Sequence, residues 1–214
     1  MNRLRYCVYL LLLVPALGWA QADEEKGIRA CFEGYKKAIL DGSGADAVAF
    51  IDEPSKQFFS KLYHSILTAD SAQVAKLDIA DRVLLFHARH TLSYDQLSKM
   101  DKQAFLEYSF EKGLFSDKGI VGISIDDVKV DGSHATAVPS FSYNPQERSP
   151  EFYHFNKTDA GWKIDWISQI NFINANFSSI ANTMGQDVNE FIFSTLLMLS
   201  GNEVSASVWW PNQH

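Results

Sequence analysis

Three side chains in the second half of the chain could take part in acid–base chemistry. His154 and Asp165 lie on two predicted strands joined by a turn at residues 158–161, and Tyr143 ends the preceding strand. If the two strands pair through that turn, His154 and Asp165 lie on one face of a sheet, where they could act as acid and base. An apolar pocket around them would shift their pKa values, as such chemistry requires.

The same residues also have a simpler interpretation. Lys163 and Asp165 alternate with apolar residues, as expected for the solvated face of a half-exposed sheet, and neither matches a catalytic motif. Together with Trp166, the three polar residues could equally line a pocket that only binds a ligand. The candidate ligand-binding residues are therefore Tyr143, His154, Asp165 and Trp166, and the first three are also the candidate catalytic residues.

A metal site is not predicted, although His87 and His90 are neighbours on one face of a predicted helix. Zinc needs three or four ligands with supporting hydrogen bonds, and no further histidine or carboxylate lies at a diagnostic spacing. No cofactor is expected either, because the chain has no phosphate-binding glycine loop or dinucleotide fingerprint. Arg89 could pair with Asp81, or Arg82 with Asp78, along or across the helix, at little gain in stability.

Nucleophilic catalysis also has little support in the sequence. There is no Gly-x-Ser-x-Gly elbow. Cys31, the one cysteine after the leader, shares a helical face with Phe32 and Tyr35, which predicts a buried and unreactive thiol.

The candidate residues belong to four short runs that predict an antiparallel meander between residues 120 and 170. Apolar and polar residues alternate within the runs, and turn-forming residues separate them. Asp131 and Gly132 suit a tight hairpin, and Pro145 cannot donate to a strand ladder. The predicted strands are 121–130, 134–143, 151–157 and 162–169, the last with Trp162, Ile164 and Trp166 on one face.

Helices are predicted before and after the meander along the chain, because apolar residues recur there at three- and four-residue steps. Pro54 suits the first turn of one helix, Asp70 and Asp101 suit the starts of two others, and Gly185 could divide the last segment. The predicted helices are 23–41, 45–51, 54–69, 73–91, 102–112 and 171–199, with a turn or short helix at 93–100. The last helix could pack against the body of the protein or against a partner.

The first 22 residues have the three-part pattern of a secretory signal peptide. Arg3 and Arg5 precede an apolar run from Tyr6 to Val14, and small residues follow as far as Ala22. A membrane anchor is the alternative, but this run is shorter than the roughly 20 residues that a spanning helix needs. We predict cleavage near Ala22 and a periplasmic or secreted mature chain without a transmembrane segment.

The charge of the chain argues against two classes of partner. The formal net charge is −7, and loss of the two leader arginines would make it about −9. An acidic chain without a cluster of Lys and Arg lacks the positively charged surface that binds nucleic acid or an anionic membrane.

The order of these elements resembles the nuclear-transport-factor-2-like superfamily. The resemblance rests on the hairpin Val128–Val138 and on the run Phe155–Trp166 (FNKTDAGWKIDW), and covers roughly residues 24–169. It implies a curved sheet wrapped around helices to form a cone with an internal pocket. Members include ketosteroid isomerases, dehydratases and epoxide hydrolases, but also binding modules and transport factors. The long helical section before the sheet and the extension after it depart from the family's pattern.

The sequence therefore predicts an α+β protein in four parts: a signal peptide at 1–22, the cone-type domain at 23–170, an amphipathic helical extension at 171–200 and a tail at 201–214. The favoured function is a non-catalytic module of the cell envelope that recognises a small apolar ligand or a partner protein. The alternative is an isomerase, lyase or hydrolase for a small molecule. A homodimer is a third option, because Trp209 and Trp210 would expose two indoles if nothing covers them.

Overall fold

The computed structural model describes residues 4–115, 118–142 and 153–211. Helices precede and follow one antiparallel sheet along the chain, so the predicted α+β class is confirmed. The helices are α1 (Leu4–Asp41), α2 (Gly44–Ala49), α3 (Glu53–Thr68), α4 (Ser71–Val74), α5 (Ile79–Thr91), α6 (Tyr94–Ser98), α7 (Lys102–Glu111), α8 (Trp166–Met184) and α9 (Val188–Ser200). The strands are β1 (Ile123–Asp131), β2 (His134–Phe141), β3 (Tyr153–Thr158) and β4 (Gly161–Ile164). None of the helices in the described ranges combines the length and the hydropathy of a membrane-spanning segment.

The four strands form a meander in the order β1-β2-β3-β4, and each neighbouring pair is antiparallel. Asp131 pairs with His134 across the first hairpin, where Gly132 has a φ of 60°. Ile51 adds an isolated bridge to Ile164 of β4. The predicted order of strands and the predicted first hairpin are both confirmed.

The fourth strand is shorter than predicted. β4 ends at Ile164 and α8 begins at Trp166, so the prediction that Trp166 continues the strand face of Ile164 is wrong. The Asp165 carboxylate accepts from the Ser168 N–H, and the buried Ser55 hydroxyl accepts from two backbone N–H groups of the first turn of α8. These contacts satisfy the N–H groups that a helix start leaves free, and α8 therefore begins earlier than its apolar spacing indicated.

The helix predicted at residues 73–91 is divided into α4 and α5. Asp70 and Gln73 form a capping box, in which each side chain accepts from the other residue's backbone N–H at 2.8 and 2.9 Å. After a turn, α5 begins with the Ala80 N–H donating to Asn174 Oδ1 of α8 at 2.7 Å. A contact with a distant residue thus accompanies this helix start, and local spacing could not reveal it.

One face of α1 packs against the sheet, at β1 and β4. Phe32 lies edge-on to Tyr153 of β3, with ring centroids 4.9 Å apart. Cys31 lies in the same core, and burial raises the pKa of its thiol to about 12. The thiol is therefore protonated at neutral pH, which agrees with the prediction of a buried, unreactive cysteine.

The C-terminal segment packs largely against the body of the protein. Both α8 and α9 contact α5, and Gly185, with a φ of 62°, separates the two helices as predicted. In the tail, Trp209 lies edge-on to Phe86 of α5 at 4.9 Å, whereas Trp210 is 54 % exposed. One of the two indoles is therefore largely covered, and the other remains exposed.

Arg89 has a different role from the predicted ion pair with Asp81. Its buried guanidinium donates instead to backbone carbonyl oxygens at 2.7–3.0 Å, those of Ser65, Ile66, Ala69 and Val208. The first three lie at the C-terminus of α3, where the helix dipole is negative and where only the Ser65 carbonyl of these three has a helical partner, the Ala69 N–H. Burial lowers the pKa of Arg89 to about 10, so it remains charged at neutral pH and ties the tail to α3.

Candidate functional site

His154 and Asp165 lie side by side at the end of the β3–β4 pair. The Asp165 N–H donates to the His154 carbonyl at 2.9 Å, beside the paired residues Phe155 and Ile164. The Asp165 carboxylate accepts from the Ser168 N–H at 3.0 Å and from the Ser168 hydroxyl at 2.7 Å. Asp165 thus serves as the cap of α8, and Tyr143, the third candidate, falls outside the described residues.

A buried polar connection that the sequence did not reveal lies close to this pair. Asp52 is 2 % exposed and accepts from the Ser55 N–H at 3.0 Å and from the Asn156 side-chain amide at 2.8 Å. The Asn156 oxygen is in turn 2.6 Å from His134 Nδ1. These bonds join the start of α3 to strands β2 and β3, so their role is structural.

A cavity of about 970 Å³ lies mainly between helices of the described structure. Most of its lining is apolar or aromatic, from Phe59 of α3, Val83 and Leu84 of α5, Phe110 of α7, Ile170, Ile173 and Phe177 of α8, and Leu114 and Phe115 after α7. No described residue of the four strands lines it. Of the predicted ligand-binding residues, Trp166 lines this cavity, whereas His154 and Asp165 do not.

An aromatic cluster forms the wall of the cavity around Trp166. Its ring contacts those of Phe110, Phe59 and Tyr35 edge-on, at centroid distances of 5.7, 6.3 and 6.3 Å. Burial raises the pKa of the Tyr35 hydroxyl well above its ordinary value. Tyr153 raises this pKa further, and the Trp166 indole lowers it. The Trp166 Nε1 and the Tyr35 hydroxyl lie close to each other, both are buried, and neither has a hydrogen-bond partner elsewhere in the described structure.

His87 of α5 also lines the cavity. Its Nδ1 is buried and has no hydrogen-bond partner among the described residues. Burial, helped by His90, lowers the pKa of His87 below its ordinary value of 6.5, so the ring is neutral at pH 7. No group of three or more His, Cys, Asp or Glu side chains within the described residues is placed to hold a metal ion.

The cavity opens to solvent beside the end of α9. Met198 and Leu199 line it and are 78 % and 55 % exposed. Lys112 and Glu111, which also line it, form an ion pair with each other. The entrance is therefore apolar on one side and carries a self-compensated pair of charges on the other.

The sequence contained part of the signal for this cavity. The run 83–86 is apolar on all sides of its helix, as expected of a buried segment, and Ile173 and Phe177 share one face of the last predicted helix. The sequence could not show that these apolar helix faces leave a gap between them. A volume left between packed helices depends on tertiary geometry, and no local pattern reports it.

None of the known protein families, curated proteins or solved structures matches this chain. Its function must therefore be inferred from the cavity and from the residues that line it.

The first prediction concerns Asp81 on α5, whose Oδ1 is buried without a partner in the described structure. Burial, and then the nearby Asp78, raises the pKa of Asp81 from its ordinary value of 3.8 to about 6. Between pH 3.8 and about pH 6 the Asp81 carboxyl is protonated in the folded protein but ionised in the unfolded chain. The free energy of unfolding therefore falls as the pH rises through this range. We expect Asp81→Asn to raise the free energy of unfolding at pH 7 by about 1 kcal/mol, after allowance for partial exposure.

Urea unfolding of Asp81→Asn and wild type at pH 7 and at pH 4 measures this effect. The gain should be present at pH 7 and largely absent at pH 4, where wild-type Asp81 is mostly protonated. Asp95→Asn is the control, because Asp95 is exposed and paired with Lys99. A destabilised Asp81→Asn variant at pH 7 would contradict the assignment.

Proposed function

We propose that this protein is a non-catalytic binding module that holds a small apolar molecule in the cavity between α3, α5, α7 and α8. The observation that carries the proposal is a largely apolar cavity of about 970 Å³ whose lining includes the aromatic rings of Phe59, Phe110 and Trp166. Ligand sites in proteins are typically concave, several hundred Å³ in volume and mostly apolar, with few polar groups that orient the ligand.

The wider context of the proposal comes from the sequence. The leader pattern at residues 1–22 supports export to the periplasm or the cell exterior. Helices followed by an antiparallel meander support a distant relationship to the nuclear-transport-factor-2-like superfamily, with its cone-shaped arrangement. In this chain, however, the proposed pocket lies among the helices and not on the sheet, so no family role is carried over to its residues.

The second prediction tests occupancy of the cavity with the neutral fluorescent probe N-phenyl-1-naphthylamine. Ile173 of α8 lines the cavity, and a tryptophan in its place would fill space that the probe needs. We expect wild type to enhance the probe's fluorescence saturably and Ile173→Trp to weaken binding at least about tenfold, because overpacking excludes the ligand. Titration of each protein at fixed probe concentration gives the two dissociation constants.

The matched control for this experiment is Ile180→Trp. Ile180 lies on the same helix, is 45 % exposed and does not line the cavity, so this variant should bind the probe as wild type does. Equal loss of binding in both variants would indicate a surface effect. No saturable binding by wild type would contradict the proposed function.

A further inference from the structure

We infer that the C-terminal end of α9 docks this protein on an electrically neutral lipid bilayer, through an apolar tip formed by Leu197, Met198 and Leu199. The apolar tip lies beside the cavity mouth, since Met198 and Leu199 also line the cavity. The contact itself depends only on these exposed residues. Its purpose, to let an apolar ligand pass between the bilayer and the cavity without crossing water, rests on the proposed function.

The apolar tip is convex. Leu197 is 46 % exposed, and Met198 and Leu199 are more exposed still. Consecutive residues of a helix are about 100° apart, so the three side chains cover roughly 200° of the helix circumference. An exposed apolar patch marks a contact with another molecule, and a convex one can enter a fluid bilayer without a matching groove.

The area of the apolar tip is too small for a stable interface with a protein. Three side chains exposed to this extent offer on the order of 300 Å² of apolar surface, whereas each partner in a standard protein interface buries roughly 800 Å². Attachment to a bilayer has no such requirement, because a single acyl chain is enough for weak, reversible binding. The apolar tip therefore fits a lipid surface better than a second copy of the chain.

The charge of this region specifies the kind of bilayer. Residues 191–202 include no charged side chain, and the nearest ones in the sequence are Glu190 and Glu203. At the cavity mouth, Glu111 and Lys112 are paired with each other. Because the protein has a formal net charge of −7, anionic lipids repel it, and the matching surface is a zwitterionic one without net charge.

The backbone at the end of α9 also suits an apolar environment. A helix leaves its last four carbonyls without partners inside the helix. Here the Leu197 carbonyl accepts from the Gly201 N–H at 2.8 Å, and the Ser200 carbonyl accepts from the Asn202 side-chain amide at 3.1 Å. These hydrogen bonds lower the cost of bringing the apolar tip against hydrocarbon, where an unpaired carbonyl is strongly unfavourable.

The test is flotation of the full protein with phosphatidylcholine vesicles, in the absence of N-phenyl-1-naphthylamine. We expect wild type to float with the vesicles at millimolar lipid, equally at low and high salt, and to float less when phosphatidylglycerol is added. A carboxylate must be kept out of hydrocarbon, so Met198→Glu should reduce the partition coefficient at least about tenfold. Leu197→Glu should also weaken flotation while still binding the fluorescent probe in solution, because Leu197 does not line the cavity.

Met184→Glu is the matched control and should float as wild type does. Met184 is 60 % exposed at the end of α8 and does not line the cavity. It precedes the start of α9, and about 15 Å of helix lies between Val188 and Met198.

Three results would each overturn the inference while leaving ligand binding in the cavity standing: wild type that does not float, a preference for phosphatidylglycerol, or an equal loss in Met184→Glu. A wild-type dimer that Met198→Glu dissociates would overturn it as well, because the apolar tip would then bind a second copy. Failure of the fluorescent probe to bind would remove the proposed function, but not a vesicle contact that Met198→Glu weakens.

Discussion

Replacement of Gly44 by alanine is expected to lower the free energy of unfolding by at least about 3 kcal/mol. Gly44 is the buried first residue of α2, and α2 packs closely against α7. A Cβ at this position would lie 1.9 Å from the Glu107 carbonyl oxygen and 2.6 Å from its carbonyl carbon. Both atoms belong to the backbone of α7, so the clash cannot be relieved by a side-chain rotation and must separate two helices.

Chemical denaturation of Gly44→Ala and wild type measures this loss, and Gly132→Ala is the informative control. Gly132 has a φ of 60° in the first hairpin, and a Cβ added there would have no atom within 4 Å, so its substitution tests backbone strain alone. Strain of that kind costs roughly 1–2 kcal/mol. Gly44→Ala should therefore be the more damaging change. Equal or smaller destabilisation would show that α2 and α7 are not packed as described.

Replacement of Arg89 by leucine is the second change expected to have a large effect, about 3 kcal/mol of lost stability. The substitution removes charge-assisted hydrogen bonds to the C-terminus of α3 and to the Val208 carbonyl. It leaves the Ile66, Ala69 and Val208 carbonyls without this buried donor, and the desolvation of each unpaired group adds to the cost. Lysine would not replace arginine here, because its donors all lie on one nitrogen, whereas Arg89 donates from Nε, Nη1 and Nη2.

Loss of Arg89 should also release the tail. Val208 is buried and its carbonyl accepts from Arg89 at 3.0 Å, so Arg89→Leu should accelerate proteolytic cleavage within residues 201–211 under native conditions. Arg82→Leu on the same helix is the control, since Arg82 Nη1 donates to Asn189 at 3.2 Å and not to the tail. Mass analysis of the fragments locates the cleavage. An Arg89→Leu tail as resistant as wild type would contradict the clamping role.

The elements that could be predicted from the sequence are those with local causes. The meander was predictable because alternation and turn residues act over a few positions, as at Asp131 and Gly132. Asp101 could likewise be recognised as the cap of α7, and its side chain accepts from the Ala104 N–H at 2.8 Å. The division between α8 and α9 followed from Gly185 in the same way.

The errors and omissions arise where a structure depends on contacts between residues that are far apart in the chain. The early start of α8 depends on the Ser55 hydroxyl, more than a hundred residues away, and the start of α5 contacts Asn174. The contact of Arg89 with α3 could not be predicted from its neighbours on α5. Its acceptors are backbone carbonyls, which every residue has, so no pattern of side chains identifies them. Of the candidate site residues, Trp166 was named for a strand face, yet it reaches the cavity from the first turn of a helix.

The most direct test of the proposed binding function is native mass spectrometry of the protein purified without detergent and incubated with N-phenyl-1-naphthylamine. We predict one additional mass, equal to a single probe molecule, on wild type and on Ile180→Trp but not on Ile173→Trp. A wild-type protein that acquires no additional mass, or an Ile173→Trp variant that acquires it equally well, would contradict ligand binding in the cavity between α5 and α8.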